Sequence, residues 1–226
     1  MKTFALAGSR LKACPGLDPG AGMTYWHDKP LFWALLLLAL LAILKPISVD
    51  LAFAAAFIYQ LGIPTCLGYE SVVNKTLIKR DLSRVLWLSL ITFPIYALGL
   101  WLVQKSWATS TGYELYFRPD FSLSLLWSLS VNIFVIAWPE EVFYRGFLQG
   151  RLGVSLLAVI GINFLFALGH FVGDYSPARL LPFFPGLLFS WLAYRGQGSL
   201  VGAITYHALC NVFSEWLAAS ILWSRV

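Results

Sequence analysis

Two adjacent glutamates are the residues of this sequence best placed to do chemistry. Glu140 and Glu141 follow a segment, residues 123–139, that has no ionisable side chain, and Arg145 comes one helical turn later. If this stretch is a helix inside a bilayer, each carboxylate is energetically costly unless it is paired or hydrated. Ionisable residues at such depth therefore usually serve a function. The alternative interpretation is an interfacial helix end whose charges are solvated.

The two glutamates differ in their expected partners. Glu141 lies four residues before Arg145, the spacing and order that favour an ion pair along a helix, so its expected role is structural. Glu140 points about 100° further round the helix and is left as the carboxylate for proton transfer. Pro139 lacks a backbone N–H and is expected to kink the helix and admit water.

Histidines form a second group of candidates, because the sequence contains only three. His170 and His207 fall inside predicted membrane spans, and the third histidine lies near the N-terminus. His207 and Asn211 are four residues apart and therefore share one helix face. The same spacing lets the Phe166 ring pack under the His170 imidazole. Either histidine alone fits an interhelical hydrogen bond equally well, but the pair favours an active site.

The composition indicates that a membrane bundle positions these residues. The 226 residues are 59% hydrophobic and 12% charged, with a mean hydropathy of +0.73, whereas soluble domains are about 25% charged. Almost every long segment is apolar all round, which excludes a soluble bundle of amphipathic helices. We predict an all-α fold, a polytopic transmembrane helix bundle of about seven spans (six to eight) around a polar cavity. The spans are expected at residues 31–44, 51–68, 85–103, from about 123, 152–172, 181–194 and 199–223.

Two segments outside these spans also carry predictions. Residues 1–30 are polar and are expected to be an N-terminal tail ahead of the bundle at 31–226; Met23 is a candidate for the true translation start. A hydrophilic loop is expected at about residues 105–122. The sixth segment, 181–194, is short and contains two prolines, so an irregular or re-entrant helix and a full span are equally open for it.

The basic residues predict the orientation of the chain. With seven spans, the side that holds the N-terminus collects most of the lysines and arginines, which predicts a cytoplasmic N-terminus in the inner (plasma) membrane. Because these charges lie between spans, the net charge of +5 does not indicate a nucleic-acid partner. The residues on the predicted cytoplasmic side are Lys2, Arg10, Lys12, Lys29, Lys75, Lys79, Arg80, Arg84, Arg151 and Arg195.

The order and spacing of the candidate residues resemble the CPBP family, the CAAX-protease and bacteriocin-processing intramembrane peptidases related to the Rce1-type prenyl endopeptidases. The resemblance covers about residues 123–217, the expected catalytic core. It implies a helical membrane bundle around a water-filled cavity and a glutamic-type intramembrane endopeptidase. The motifs that carry it are Glu140-Glu141-x-x-x-Arg145, Phe166-x-x-x-His170 and His207-x-x-x-Asn211.

The resemblance also implies roles for these residues. Glu140 and His170 would activate the attacking water, while His207 and Asn211 would stabilise the oxyanion, as peptide hydrolysis requires. The expected substrate is a membrane-associated protein or peptide cleaved near its C-terminal part. Residues 169–186 are similar to bacterial members proposed to process C-terminal sorting signals, and no feature indicates a prenyl-binding site. The residues expected to support the site are Glu141, Arg145 and Phe166.

Other readings stay open at this point. Glutamate and histidine inside spans also mark the ion pathways of proton-coupled transporters, although no inverted repeat is visible. A noncatalytic membrane scaffold or immunity-type protein is a third class. No cofactor is expected; the alternative is a zinc ion bound by His170, His207 and Glu140. Against zinc, the sequence lacks a His-Glu-x-x-His motif, and Asn211 is better suited to donate hydrogen bonds.

Overall fold

Helices make up most of the structure, a computed structural model that describes residues 29–69, 77–119, 121–122 and 124–225. The predicted all-α fold is confirmed. Most of the predicted tail, including Met23, lies outside the described residues. The helices are α1 Pro30–Leu44, α2 Val49–Cys66, α3 Ile78–Thr111, α4 Ser124–Leu152, α5 Leu156–Phe171, α6 Phe183–Arg195 and α7 Val201–Ser220.

The helices have the length and surface of a membrane protein. Three of them, α2, α3 and α4, are long and apolar enough to cross a bilayer, and α1 and α5 are shorter apolar helices. On α3 the side chains of Leu86, Trp87 and Ile91 are exposed by more than half. Apolar surface of this extent is stable in lipid and would be a liability in water. The chain is therefore a membrane protein.

Long-range hydrogen bonds sort the helix ends into two layers. One layer, here the N-terminal side, holds the starts of α1, α3, α5 and α7 and the ends of α2, α4 and α6. The opposite layer, here the strand side, holds the other ends and two short strands. The bonds that define the layers run from Arg151 to the Leu67 carbonyl (3.0 Å), from Arg84 to the Arg195 carbonyl (3.0 Å) and from Lys45 to the Val172 carbonyl (2.7 Å).

Two strands join the ends of α3 and α7. Strand β1 (Tyr113–Phe117) and strand β2 (Ile221–Arg225) pair antiparallel, with Tyr113 opposite Arg225 and Phe117 opposite Ile221. Gly112, at φ 75°, ends α3 in the left-handed conformation that such a terminus favours. The strand pair was not predicted, because each strand gains its hydrogen bonds from a partner about a hundred residues away in sequence.

Several predicted boundaries are wrong. The loop expected at 105–122 is helical up to Thr111, and the span expected to end at residue 223 ends at Ser220. Helix α5 begins at Leu156 and not at 152, because Gly153 adopts φ 85° and the Ser155 hydroxyl caps the new start. For segment 181–194, where an irregular helix and a full span were both open, the structure has a regular helix, α6, preceded by a short 3-10 turn at Pro177–Leu180.

Helix α4 is continuous but contains two wide turns. Residues Asn132–Ala137 and Val142–Leu148 are π-helical, and the short α-helical segment Trp138–Glu141 lies between them. In the first wide turn the Trp138 N–H bonds to the carbonyl of Ile133, five residues earlier. Pro139 was expected to kink this helix; the irregularity found around it consists of these turns.

An aromatic core lies where α4, α5, α6 and α7 meet. Five large rings there are each at most 2% exposed. Three pairs of these rings pack at centroid distances of 5.8 to 6.3 Å, two of them edge to face, an arrangement that aromatic pairs prefer. This core fixes the inner faces of the three helices that carry the candidate site residues, α4, α5 and α7, against α6. The rings are Phe143, Phe147, Phe166, Phe189 and Tyr206.

Candidate active site

A buried ion pair anchors the site on α4. The Arg145 Nη1–H donates to Glu141 Oε1 at 3.0 Å, and both side chains are fully buried. The two residues are four apart on one helix, so the backbone alone brings them together. Burying two charges is favourable only when both are well hydrogen-bonded. Both Nη groups of Arg145 are bonded, whereas Arg145 Nε and Glu141 Oε2 have no partner among the described residues.

Four neighbours hold the Arg145 guanidinium in place. Its Nη2 group donates to Asn163 Oδ1 at 2.8 Å and to the Gly186 carbonyl at 3.2 Å. The Phe166 and Phe189 rings lie 4.5 Å and 5.1 Å from its central carbon, within the range of cation–π attraction. Gly186 is needed here, because a Cβ atom at that position would collide with Asn163 Oδ1.

His207 on α7 bridges the two glutamates. Its Nδ1–H donates to Glu141 Oε1 at 2.8 Å, which leaves Nε2 facing Glu140 Oε2 at 3.5 Å. The imidazole stacks on Phe189 with a centroid distance of 4.5 Å and an interplanar angle of 15°. His207 is 3% exposed, so its ring position is set by Glu141 on one edge and by Phe189 on one face.

Glu140 is the cluster member that combines unused hydrogen-bonding capacity with some exposure; Glu141 Oε2 and Arg145 Nε also have no partner among the described residues, but their side chains are fully buried. The Glu140 side chain is 19% exposed. Its Oε2 atom is buried and accepts no hydrogen bond from the part of the chain that the structure describes. A buried carboxylate oxygen without a donor is unfavourable unless water or a ligand supplies one. The geometry therefore leaves room for a polar partner at Glu140.

His170 lies at the strand-side end of α5. Its Nδ1–H donates to the Phe166 carbonyl at 3.0 Å, so in the neutral ring Nε2 is an acceptor. The Phe166 ring contacts both imidazoles, with centroid distances of 4.8 Å to His170 and 5.7 Å to His207. Within the described ranges no hydrogen bond or ion pair joins His170 to Glu140 or His207. One aromatic ring thus separates the two imidazoles.

Asn211 lies one turn after His207 on α7 and is half-buried. Among the residues described here, nothing is hydrogen-bonded to its side chain. Its amide N–H groups are therefore available to a ligand that lies next to His207.

Sequence reasoning missed three polar residues that support the site. Asn163 accepts from Arg145 and donates to Ser190 Oγ at 2.9 Å, and the Gln149 amide donates to the Ser190 carbonyl at 3.1 Å. All three residues are buried. Their signal in the sequence is a polar side chain within an apolar helix, which points to an interhelical hydrogen bond but not to its partner.

A second polar group lies nearer the strand side, where α4 packs against α7. The Ser128 hydroxyl donates to Glu215 Oε2 at 2.6 Å, and the Asn132 amide donates to the Ser128 hydroxyl at 3.2 Å. Glu215 is exposed and Asn132 is buried. The hydrogen bonds through Ser128 therefore connect an exposed residue on the strand side with a buried one.

The described side chains do not form a metal site. No group of three or more His, Cys, Asp or Glu residues among them is arranged to bind a metal ion. The zinc alternative requires His170 to join Glu140 and His207, and the Phe166 ring lies between the two histidines. Metal dependence stays a prediction to be tested.

Comparison with known families identifies one match. Residues 122–213 match the Rce1-like family, described as type II CAAX prenyl endopeptidase Rce1-like. The matched range contains every candidate site residue. Searches of curated proteins and of solved structures found no match.

Proposed function

We propose that this chain belongs to the Rce1-like family and is an intramembrane endopeptidase that uses Glu140 to activate the attacking water. The family match at residues 122–213 supports a CAAX-protease-type peptidase, a hydrolase. The proposal concerns how its residues divide the chemistry and what they act on. The observation that carries it is the position of the unpaired Glu140 oxygen beside the His207 imidazole.

Glu141 and Arg145 orient the His207 imidazole next to the base. Because the Nδ1–H of His207 is bonded to Glu141, Nε2 is the ring nitrogen that faces Glu140. A hydrogen on Nε2 makes His207 a donor to an oxygen atom that binds beside Glu140.

Glu140 and His170 are the two acceptors available to a water molecule. Glu140 takes a proton from the water, and the water oxygen attacks the carbonyl carbon of the peptide bond. The acceptor nitrogen of His170, Nε2, binds the second hydrogen of the water and so fixes the direction of attack. Among the described residues no hydrogen bond joins the two groups directly. The proton on Glu140 then passes to the leaving amine.

His207 and Asn211 are the donors that face the developing oxyanion. A peptide carbonyl oxygen next to Asn211 receives an amide N–H from it and the Nε2–H of His207. Removing one donor of this kind costs about a hundred- to a thousandfold in rate in peptidases. The phenylalanines at positions 166 and 189 exclude bulk water from this region, which strengthens both hydrogen bonds.

The proposed substrate is a peptide bond near the C-terminal part of a membrane-associated protein, a class of substrate that can reach a site on helices of a membrane bundle. Processing of a C-terminal sorting signal is the specific role proposed, on the similarity of residues 169–186 to family members proposed to process such signals. The basic residues favour a cytoplasmic N-terminal side in the inner (plasma) membrane. On that side lie Lys29, Lys79, Arg80, Arg84, Arg151 and Arg195.

Replacement of Glu140 by glutamine tests the proposal. Glu140→Gln removes the base and keeps the volume, so cleavage of a library of quenched-fluorescence C-terminal anchor peptides in proteoliposomes should be lost. Thermal stability should change by no more than about 1 kcal/mol, because glutamine keeps the volume and the Glu140 side chain is 19% exposed with a long 3.5 Å contact to His207. The matched control is Glu114→Gln on β1, an exposed glutamate bonded to Tyr116. Normal turnover by Glu140→Gln would refute the role of Glu140.

A further inference from the structure

Lys45 makes two hydrogen bonds that the proposed chemistry does not use. It is the first residue after α1, and its Nζ donates to the Gly169 carbonyl at 2.8 Å and to the Val172 carbonyl at 2.7 Å. Gly169 and Val172 lie on either side of His170 in the chain. A cation from the α1–α2 turn thus binds the last turn of the helix that carries His170.

The Lys45 contact supplies hydrogen-bond donors to carbonyl groups at the C-terminus of α5. The last four carbonyl groups of an α-helix have no partner within the helix, and their partial negative charge attracts a cation. Lys45 satisfies two carbonyls at the end of α5 and places a positive charge there. The last turn of α5, which would otherwise be the first to fray, is tied to α1.

Two glycines near the end of α5 leave room for close packing around Lys45 and α4. Gly173 adopts φ 90°, and a Cβ atom there would come within 2.8 Å of the Lys45 Cβ and Cδ atoms. Gly169 faces α4, where a Cβ atom would lie 3.3 Å from the Tyr144 hydroxyl. The two glycines let the end of α5 approach Lys45 on one face and α4 on the other. His170 lies between them.

The charges that surround Lys45 also connect it to the site. Burial and the nearby Arg179 lower the pKa of Lys45, whereas Asp174 and Glu140 act in the opposite direction. The Lys45 ammonium is therefore within electrostatic range of Glu140. The hydrogen bonds and the glycine contacts place it against the α5 terminus.

We propose that Lys45 is a positioning residue that holds the end of α5 so that His170 faces the water bound at Glu140. The inference rests on the proposed function, because it assigns His170 a position in that reaction. Without Lys45 the last turn of α5 loses its cap and the His170 ring changes its position relative to α4.

The test compares Lys45→Met with the matched control Lys105→Met. Lys105 is exposed on α3, so the same substitution there leaves the α5 terminus intact. The chain contains three histidines, so NMR of histidine-labelled protein in micelles gives few signals, assigned with His170→Gln. Lys45→Met should shift or broaden the His170 ring signals and leave those of His207 unchanged. Lys105→Met should change neither.

Kinetics give a second readout. A misplaced His170 should lower kcat about ten- to a hundredfold, the effect expected of a displacement of about 1 Å, with KM within about twofold. Lys45→Arg keeps a cationic donor and should retain the wild-type His170 signals and most of kcat.

Each other outcome decides against the proposal. Unchanged His170 signals in folded Lys45→Met would overturn it, and so would a loss of kcat without a change in those signals. Failure of both Lys45→Met and Lys45→Arg to fold would assign Lys45 to the fold alone. If the wild-type protein cleaves no peptide, the proposed function fails. The His170 signals of the Lys45 variants still show whether Lys45 holds the end of α5.

Discussion

Replacing Arg145 by alanine gives the most quantitative test of the site's structure. The variant removes hydrogen bonds to Glu141, Asn163 and the Gly186 carbonyl. It also removes the cation that lies between two phenylalanine rings. What remains is a Glu141 carboxylate that is fully buried, with His207 as its one hydrogen-bond partner among the residues the structure describes. The variant thus converts a balanced pair into an uncompensated charge.

The size of the effect follows from that burial. Breaking a buried ion pair by removing one partner destabilises a protein by about 3–5 kcal/mol. An exposed pair contributes only about 0–1 kcal/mol. The chain offers such a pair in Arg179 and Asp174, whose side chains are 59% and 45% exposed. Arg145→Ala should therefore lose several times more unfolding free energy than Arg179→Ala.

Both variants can be measured by reversible unfolding in detergent micelles, with cleavage activity recorded on the same samples. Arg145→Ala is expected to lose stability, folding yield and activity together, and Glu141→Gln should behave similarly. The interpretation fails if the two arginine variants lose equal stability. It also fails if Arg145→Ala folds with wild-type stability and loses activity alone, because Arg145 would then belong to the chemistry.

Two further predictions concern topology and metal. A reporter fused after Arg84 should signal the cytoplasm and one fused near Gly112 the outer side, as the distribution of basic residues requires; opposite signals would invert the orientation. Purified enzyme should contain less than one zinc per chain and keep its activity after prolonged treatment with a strong chelator. Chelator-sensitive activity that added zinc restores would instead make His170, His207 and Glu140 ligands.

Features that depend on local spacing could be predicted from the sequence. The Glu141–Arg145 pair and the packing of Phe166 against His170 each join residues four apart on one helix, and the structure contains both. The composition was sufficient for the membrane bundle, since apolar segments of this length have few other stable forms. In each case the backbone of a single helix fixes the neighbours.

Contacts between distant segments could not be predicted. The sequence favoured Arg145 as the sole partner of Glu141, but the structure adds His207, which is 66 residues away. Asn163 was not noticed, because its partner Arg145 lies on another helix. Lys45 lies 124 and 127 residues from its two partners in the chain, so no local spacing indicates its contacts. These contacts depend on which helix faces which, and hydrophobic periodicity is weak where helices are apolar all round.

The arrangement of α4 explains how one imidazole binds two adjacent glutamates. Neighbouring residues on a helix point about 100° apart, so Glu140 and Glu141 cannot both approach the same atom. The two ring nitrogens of His207 also point in different directions, and each carboxylate takes one of them. The different directions of the two glutamates, from which we assigned them different roles, therefore also let a single His207 ring contact both.

For His207 to contact both carboxylates, α4 must place Glu140 and Glu141 level with His207 on α7. Pro139 has no N–H, so the carbonyl one turn earlier has no regular partner. The wide turns on each side of Trp138–Glu141 redistribute the hydrogen bonds to residues five apart, as at Ile133 and Trp138. Single π-helical turns within α-helices occur frequently at functional sites. In α4 they let a proline precede the base directly while the helix remains continuous and the Glu141–Arg145 pair stays intact.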